Sequence, residues 1–183
     1  LKASPNGEKL ITANNTTNYN QIGTTDAGDG NVYLFDFDNA TGQVANAIPL
    51  IENVSAYGVE FSPDATKAYA SLDPDTGAPG LVQWDLEATD IASSQATING
   101  VSGSTPTAMQ VAPDGKIYKP VYGSSKLAVI NNPNAQAANV DYTENTSQGA
   151  IQLTGIARFG LPPFNQSLFS SRIDIIDDVS QQI

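Results

Sequence analysis

The chemistry open to this chain is carboxylate chemistry. Asp73-Pro74-Asp75-Thr76-Gly77 sets acids at alternate positions, the way a calcium loop begins, because several oxygen ligands must converge on a hard cation. The segment lacks the further ligands and terminal Glu of an EF-hand loop. Pro-Asp-Thr-Gly is also the composition of a turn joining two strands, since proline presets one corner and glycine tolerates the other. The turn is the favoured reading; Asp73 and Asp75 stand as the calcium candidates, with Asp26 and Asp29 a weaker pair. A glycosidase would need two carboxylates across a pocket, but an acidic chain always offers pairs, so no catalytic residue is assigned. Histidine and cysteine are both absent. That removes the Ser-His-Asp triad, the imidazole base near neutral pH, thiolate nucleophiles and zinc–thiolate sites.

Nineteen acidic against eight basic residues give a net charge of −11. Nucleic acid is excluded as a partner, because phosphate neutralisation by Lys and Arg supplies most of that affinity. Docking on anionic lipid is disfavoured for the same reason. No apolar run approaches the ~20 residues that cross a bilayer as a helix, and the first residues lack the features of a signal peptide.

The elements that would position these acids form an internal repeat. Leu1–Ala13, Val59–Ser71 and Met109–Lys119 each read as an alternating strand, a Ser/Ala-Pro-Asx-Gly-like turn and a second alternating strand. Gly7 and Gly115 supply a positive φ in two of the turns. Ala65 replaces them in the other, where a slightly different turn is expected. A third strand follows in each copy at residues 32–38, 81–87 and 126–132, with Phe35-Asp36, Trp84-Asp85 and Ile130-Asn131 at equivalent places. A weaker fourth is expected at residues 43–50, 93–98 and 139–143. Pro5, Pro63 and Pro113 recur at roughly 50–60 residues, close to the period of about 40–50 residues of four-stranded propeller blades. The expected fold is therefore all-β, with consecutive four-stranded antiparallel blades of a WD-repeat-like β-propeller. The blades fall at 1–50, 57–98 and 107–143, with a partial one at 150–164. Residues 165–183 are expected to be a final strand and exit linker. Three blades are too few to close a ring, which takes about 4–8, so an incomplete ring is expected, completed by further blades of the same protein or by a neighbouring chain.

Two loops join a second strand to a third, residues 14–30 and 73–80. In successive blades they should emerge side by side on one face, where repeat proteins carry specificity. Their acids Asp26, Asp29, Asp73 and Asp75, with Tyr19 as a stacking ring, form the expected ligand or partner surface. The aromatic residues Phe35, Phe61, Trp84 and Tyr118 are expected in the packing between blades.

The sequence also resembles a family. Ser4-Pro5-Asn6-Gly7, Phe61-Ser62-Pro63-Asp64 and Leu81-Val82-Gln83-Trp84-Asp85-Leu86, together with Gly160-Leu161-Pro162-Pro163-Phe164 and the following Arg172-Ile173-Asp174-Ile175-Ile176, are similar to one group of large surface proteins. These are the Bacteroidota proteins whose propeller-like region precedes immunoglobulin-like repeats and a gliding-motility-associated, type 9 secretion (type B) sorting domain. The resemblance implies a secreted or outer cell-surface location. It implies no chemical activity, and the sorting domain is absent from these residues. The expected function is a non-catalytic extracellular binding or scaffold module of a surface adhesin or secreted assembly, with other surface proteins or glycans as partners. The alternative is part of a propeller-type carbohydrate-active hydrolase or lyase. No cofactor is expected apart from the candidate calcium.

Overall fold

A computed structural model describes residues 1–15, 29–101, 105–144 and 149–161. Strands β1 (Lys2–Ala3), β2 (Lys9–Asn14), β3 (Asn31–Asp38) and β4 (Gln43–Glu52) pair antiparallel in that order. The same meander recurs in β5 (Ala56–Phe61), β6 (Lys67–Leu72), β7 (Leu81–Asp85) and β8 (Ala96–Thr97). A third sheet holds β9 (Gln110–Val111), β10 (Ile117–Pro120), β11 (Lys126–Ile130) and β12 (Tyr142–Thr143), while β13 (Ile151–Gln152) pairs with the opposite end of β11. Within residues 149–161, β13 is the strand present, and residues 162–183 lie outside the described part. No α-helix occurs among the described residues.

The first hairpin of each sheet is built by one turn. Its closing backbone bonds are Ser4 N–H to Lys9 O, Ser62 N–H to Lys67 O and Ala112 N–H to Lys116 O, each 2.9 Å. Ala65 departs from expectation. Its φ of +60° is the left-handed conformation that Gly7 (+72°) and Gly115 (+76°) adopt, so the turn is conserved in shape at a cost of about 1 kcal/mol for the alanine. Side chains hold it there, as Asp64 Oδ1 accepts from Ser62 Oγ at 2.7 Å and from Thr66 N–H at 3.0 Å.

The lysine closing each turn reaches across to the third strand: Lys9 to Asp36 (2.5 Å), Lys67 to Asp85 (3.2 Å) and Lys116 to Asn131 (2.8 Å). The Asx side chain of each hydrophobic-Asx dipeptide is thus the acceptor of a repeated lysine. The Lys9 ammonium holds the Asp36 carboxyl below its ordinary range.

Two apolar layers stack the sheets. Ala68, Ala70, Leu72, Val82 and Trp84 face the first sheet's Ile11, Val32 and Leu34. From the same two strands, Tyr69 and Leu81 point the other way, onto Met109, Ile117 and Ile130 of the third sheet. The middle sheet is therefore covered on both faces, which is why β6 is buried along its whole length. Residues 133–136, between β11 and β12, strap the third sheet to the second. Tyr69 Oη donates to Pro133 O (2.6 Å), Gln83 Nε2 to Ala135 O (2.8 Å) and Gln136 Nε2 to Asp85 Oδ2 (2.7 Å).

The first strands of the three sheets converge. Lys2 of β1 donates to Glu60 Oε2 of β5 at 2.9 Å and to Gln110 Oε1 of β9 at 2.6 Å. All three sit at one repeat position, so the sheets fan out from a shared inner edge, as propeller blades do. Gly58 makes the approach possible: a Cβ there would lie 2.1 Å from Thr107 O. Gly58→Val is expected to cost about 3 kcal/mol through overpacking, read as a lower urea midpoint at unchanged slope.

The fourth strands are shorter than expected in two sheets. Residues 92–94 and 137–139 form 3₁₀ turns ahead of β8 and β12. At the first, Ser94 Oγ takes the Asp85 N–H (2.9 Å) and donates to Ile91 O (2.6 Å), so a serine side chain replaces the ladder there.

Candidate functional site

Past the paired lysine of each hairpin, the second strand ends at the same repeat position: Asn15 after β2, Asp73 after β6 and Tyr122 after β10. The turns that bring the chain from one sheet into the next arrive at this end too, so Ser55 and Thr105 stand beside them. Asp73 N–H donates to Ser55 O at 2.8 Å, and Ser55 Oγ donates to Asn15 Oδ1. The loops after β2 and β6 therefore meet at their roots.

The loop after β6 is ordered by its own acid. Asp73 caps the 3₁₀ turn Pro74–Thr76, its Oδ1 accepting from Asp75 N–H at 3.0 Å, and Gly77 closes the turn at φ +81° with a 2.9 Å bond to Pro74 O. Burial pushes the Asp73 carboxyl above its ordinary range, and the neighbouring Asp75 charge adds to the rise against the pull of the Asp75 N–H.

A cleft of about 340 Å³ opens at this end, lined by Asn15, Ser55, Tyr57, Asp73, Asp75, Thr105, Pro106 and Phe159. Its wall is aromatic. Tyr57 and Phe159 lie 5.5 Å apart, centroid to centroid, and are 43% and 36% exposed. A register shift between Ala56 and Gly58 turns Tyr57 out of the ladder, a local device that re-aims side chains beside binding sites. Phe159 is held by its backbone: Phe159 O accepts from Ala108 N–H (2.8 Å), and Ala157 pairs with Gly123 and Ser124 (3.0 and 2.6 Å). Among the described residues, no basic side chain lines the cleft.

Of the expected ligand-loop residues, the structure brings Asp73 and Asp75 into the cleft. Asp29 stands exposed before β3 and does not line it. Tyr19 and Asp26 lie outside the described residues. Among the described residues, no three acidic, His or Cys side chains are grouped so as to hold a metal ion, and the Asp73 side chain caps the turn that follows it. Tyr57 and Phe159 escape the sequence reading because each sits in a segment that reads as strand. The available signal is the glycine beside each, Gly58 and Gly160, since glycine in a strand pattern marks a bulge or a close approach.

No protein-family model matches the chain, and no curated protein does. Solved structures do. The luciferin-regenerating enzyme superposes with a TM-score of 0.52 at 16% identity, over 85% of this chain and 46% of that one. Hydrazine synthase of Kuenenia stuttgartiensis gives 0.47 at 17%, over 75% and 41%. A provisionally named 6-phosphogluconolactonase of Bacteroides uniformis gives 0.49 at 16%, over 85% and 40%. The chain spans less than half the length of each. The class is that of all-β proteins built from antiparallel four-stranded sheets, β-propeller-like in fold. No helix of the described residues is long and apolar enough to cross a membrane.

Proposed function

We propose that the chain is a section of an extracellular β-propeller whose cleft at the ends of the second strands binds a carbohydrate. The observation that carries this reading is the meeting of two exposed aromatic rings with two carboxylates, an amide and two hydroxyl side chains in one cleft. A sugar offers an apolar C–H face and a rim of hydroxyls. Tyr57 and Phe159 fit the face, while Asp73, Asp75 and Asn15 fit the hydroxyls as acceptors at fixed positions, the composition expected of a small-ligand site. Further blades complete the ring in this proposal, which the three sheets and the chain's share of the matched structures support. A secreted or cell-surface location rests on the resemblance to the Bacteroidota surface proteins.

A second reading, part of a carbohydrate-active hydrolase or lyase, is favoured by one specific observation. Asp73 is a carboxyl with a raised pKa beside a second carboxylate in a cleft, and a general acid needs that tuning. The chain also shares its fold with an enzyme.

Calorimetric titration with a sugar panel separates the two. The binding module gives saturable binding that Tyr57→Ala and Asp73→Ala each weaken roughly tenfold, as loss of a stacked ring or a charge-assisted hydrogen bond does, with no bond cleavage. Release of new reducing ends that Asp73→Asn abolishes would replace the first reading with the second.

A further inference from the structure

Resting on that carbohydrate reading, we infer that the site continues beyond the cleft into a second sugar subsite made by Phe159, Tyr122 and Arg158, so that the ligand is a neutral oligosaccharide and not a monosaccharide. The aromatic wall does not stop at Phe159. Tyr122 lies 4.7 Å from it, centroid to centroid, does not line the cleft, and is itself 40% exposed. Tyr57, Phe159 and Tyr122 make a continuous strip in which each ring contacts the next, the successive rings tilted by 38° and 40°. The strip is contributed by three separate segments, and two of its members are fixed by backbone, Tyr57 through its bulge and Phe159 through Ala108. Rings held open in a row at the mouth of a cleft mark an interaction surface.

Charge selects among occupants. Among the described residues, the cleft end carries Asp73 and Asp75 and no cation, so a phosphorylated or uronic unit is repelled from it. The Arg158 guanidinium lies over the Tyr122 ring, 5.8 Å from its centroid, and its several N–H groups are suited to donate to hydroxyl oxygens beside that ring. Aromatic faces flanked by acceptors in the cleft and donors beside Tyr122 match a chain of uncharged polyols. A peptide strand would want an open sheet edge, and the strip is side chain.

The test titrates the whole chain with neutral monosaccharides and their matched tetrasaccharides: glucose and cellotetraose, xylose and xylotetraose, mannose and mannotetraose, N-acetylglucosamine and its β-1,4 tetramer. The expected result is at least one tetrasaccharide bound roughly tenfold or more tighter than its monosaccharide. Tyr122→Ala should cancel that gain, and Tyr122→Phe should keep it. Tyr57→Ala should weaken both. Monosaccharide binding without a tetrasaccharide gain, or a gain that survives Tyr122→Ala, overturns the second subsite and leaves the cleft reading standing. Binding of no sugar of either length overturns both. Circular dichroism melts of each variant separate loss of binding from loss of fold.

Discussion

Replacing Lys2 with methionine lowers the unfolding free energy at pH 7 by about 3 kcal/mol, the range for a buried charge stripped of its partner. Glu60 has a fully buried side chain, and Lys2, still 24% exposed, is a cation that answers it. Backbone donors remain after the change, among them Phe61 N–H to Oε1 (3.0 Å) and Val111 N–H to Oε2 (3.1 Å), and they do not neutralise a carboxylate. Burial already pushes the Glu60 carboxyl up, against the pull of the Lys2 ammonium. Without that ammonium it rises further. The folded variant then binds a proton more readily than its unfolded chain does, so its stability increases as the pH falls through the raised pKa. The gap to the unmodified protein should therefore narrow between pH 7 and pH 5 in urea titrations. Adding Glu60→Gln should restore most of the loss at pH 7. A gap that widens in acid would show that the carboxylate is not what Lys2 stabilises.

Trp84→Ala is expected to cost about 4 kcal/mol, the range for emptying a core aromatic site. The indole is fully buried between the first and second sheets, and its Nε1 has no hydrogen-bond partner among the described residues. That orphaned donor makes Trp84→Phe much milder, about 1 kcal/mol, because the substitution leaves a smaller void and removes an unsatisfied polar atom. Denaturant titrations followed by far-ultraviolet circular dichroism check both, since Trp84 is the chain's single tryptophan and the variants abolish its fluorescence. Equal losses in the two variants would mean that the indole N–H finds a partner after all.

The repeat was legible because turn chemistry and period-two burial are local. Ser-Pro-Asp at 62–64 and Leu-Val-Gln-Trp-Asp at 81–85 point to a hairpin and its third strand, and β5, β6 and β7 fall where that spacing puts them. The first sheet's fourth strand is likewise legible at 43–50. The shortness of β8 and β12 was not, because Ser94 and the 137–139 turn compete with the ladder through contacts no alternation pattern encodes. The cleft was legible in half. Asp73 and Asp75 stand out as loop acids, and the pairing of two successive loops follows from their place in the repeat. Tyr57 and Phe159 reach the same cleft from segments far apart in the chain, one through a bulge and the other through a backbone bond to Ala108. Such convergence belongs to the tertiary structure alone.

The strap at residues 133–136 has a consequence for how the fold opens. The seam between the first and second sheets is closed by side chains of the sheets themselves, whereas the next seam is also stitched by backbone carbonyls of Pro133 and Ala135 accepting from Tyr69 and Gln83. Repeat architectures come apart at their weakest nearest-neighbour interface, and polar ties buried in a seam must all break together. The second and third sheets therefore behave as one cooperative foldon, and amide hydrogens of β6 and β7 exchange with solvent only when that pair separates.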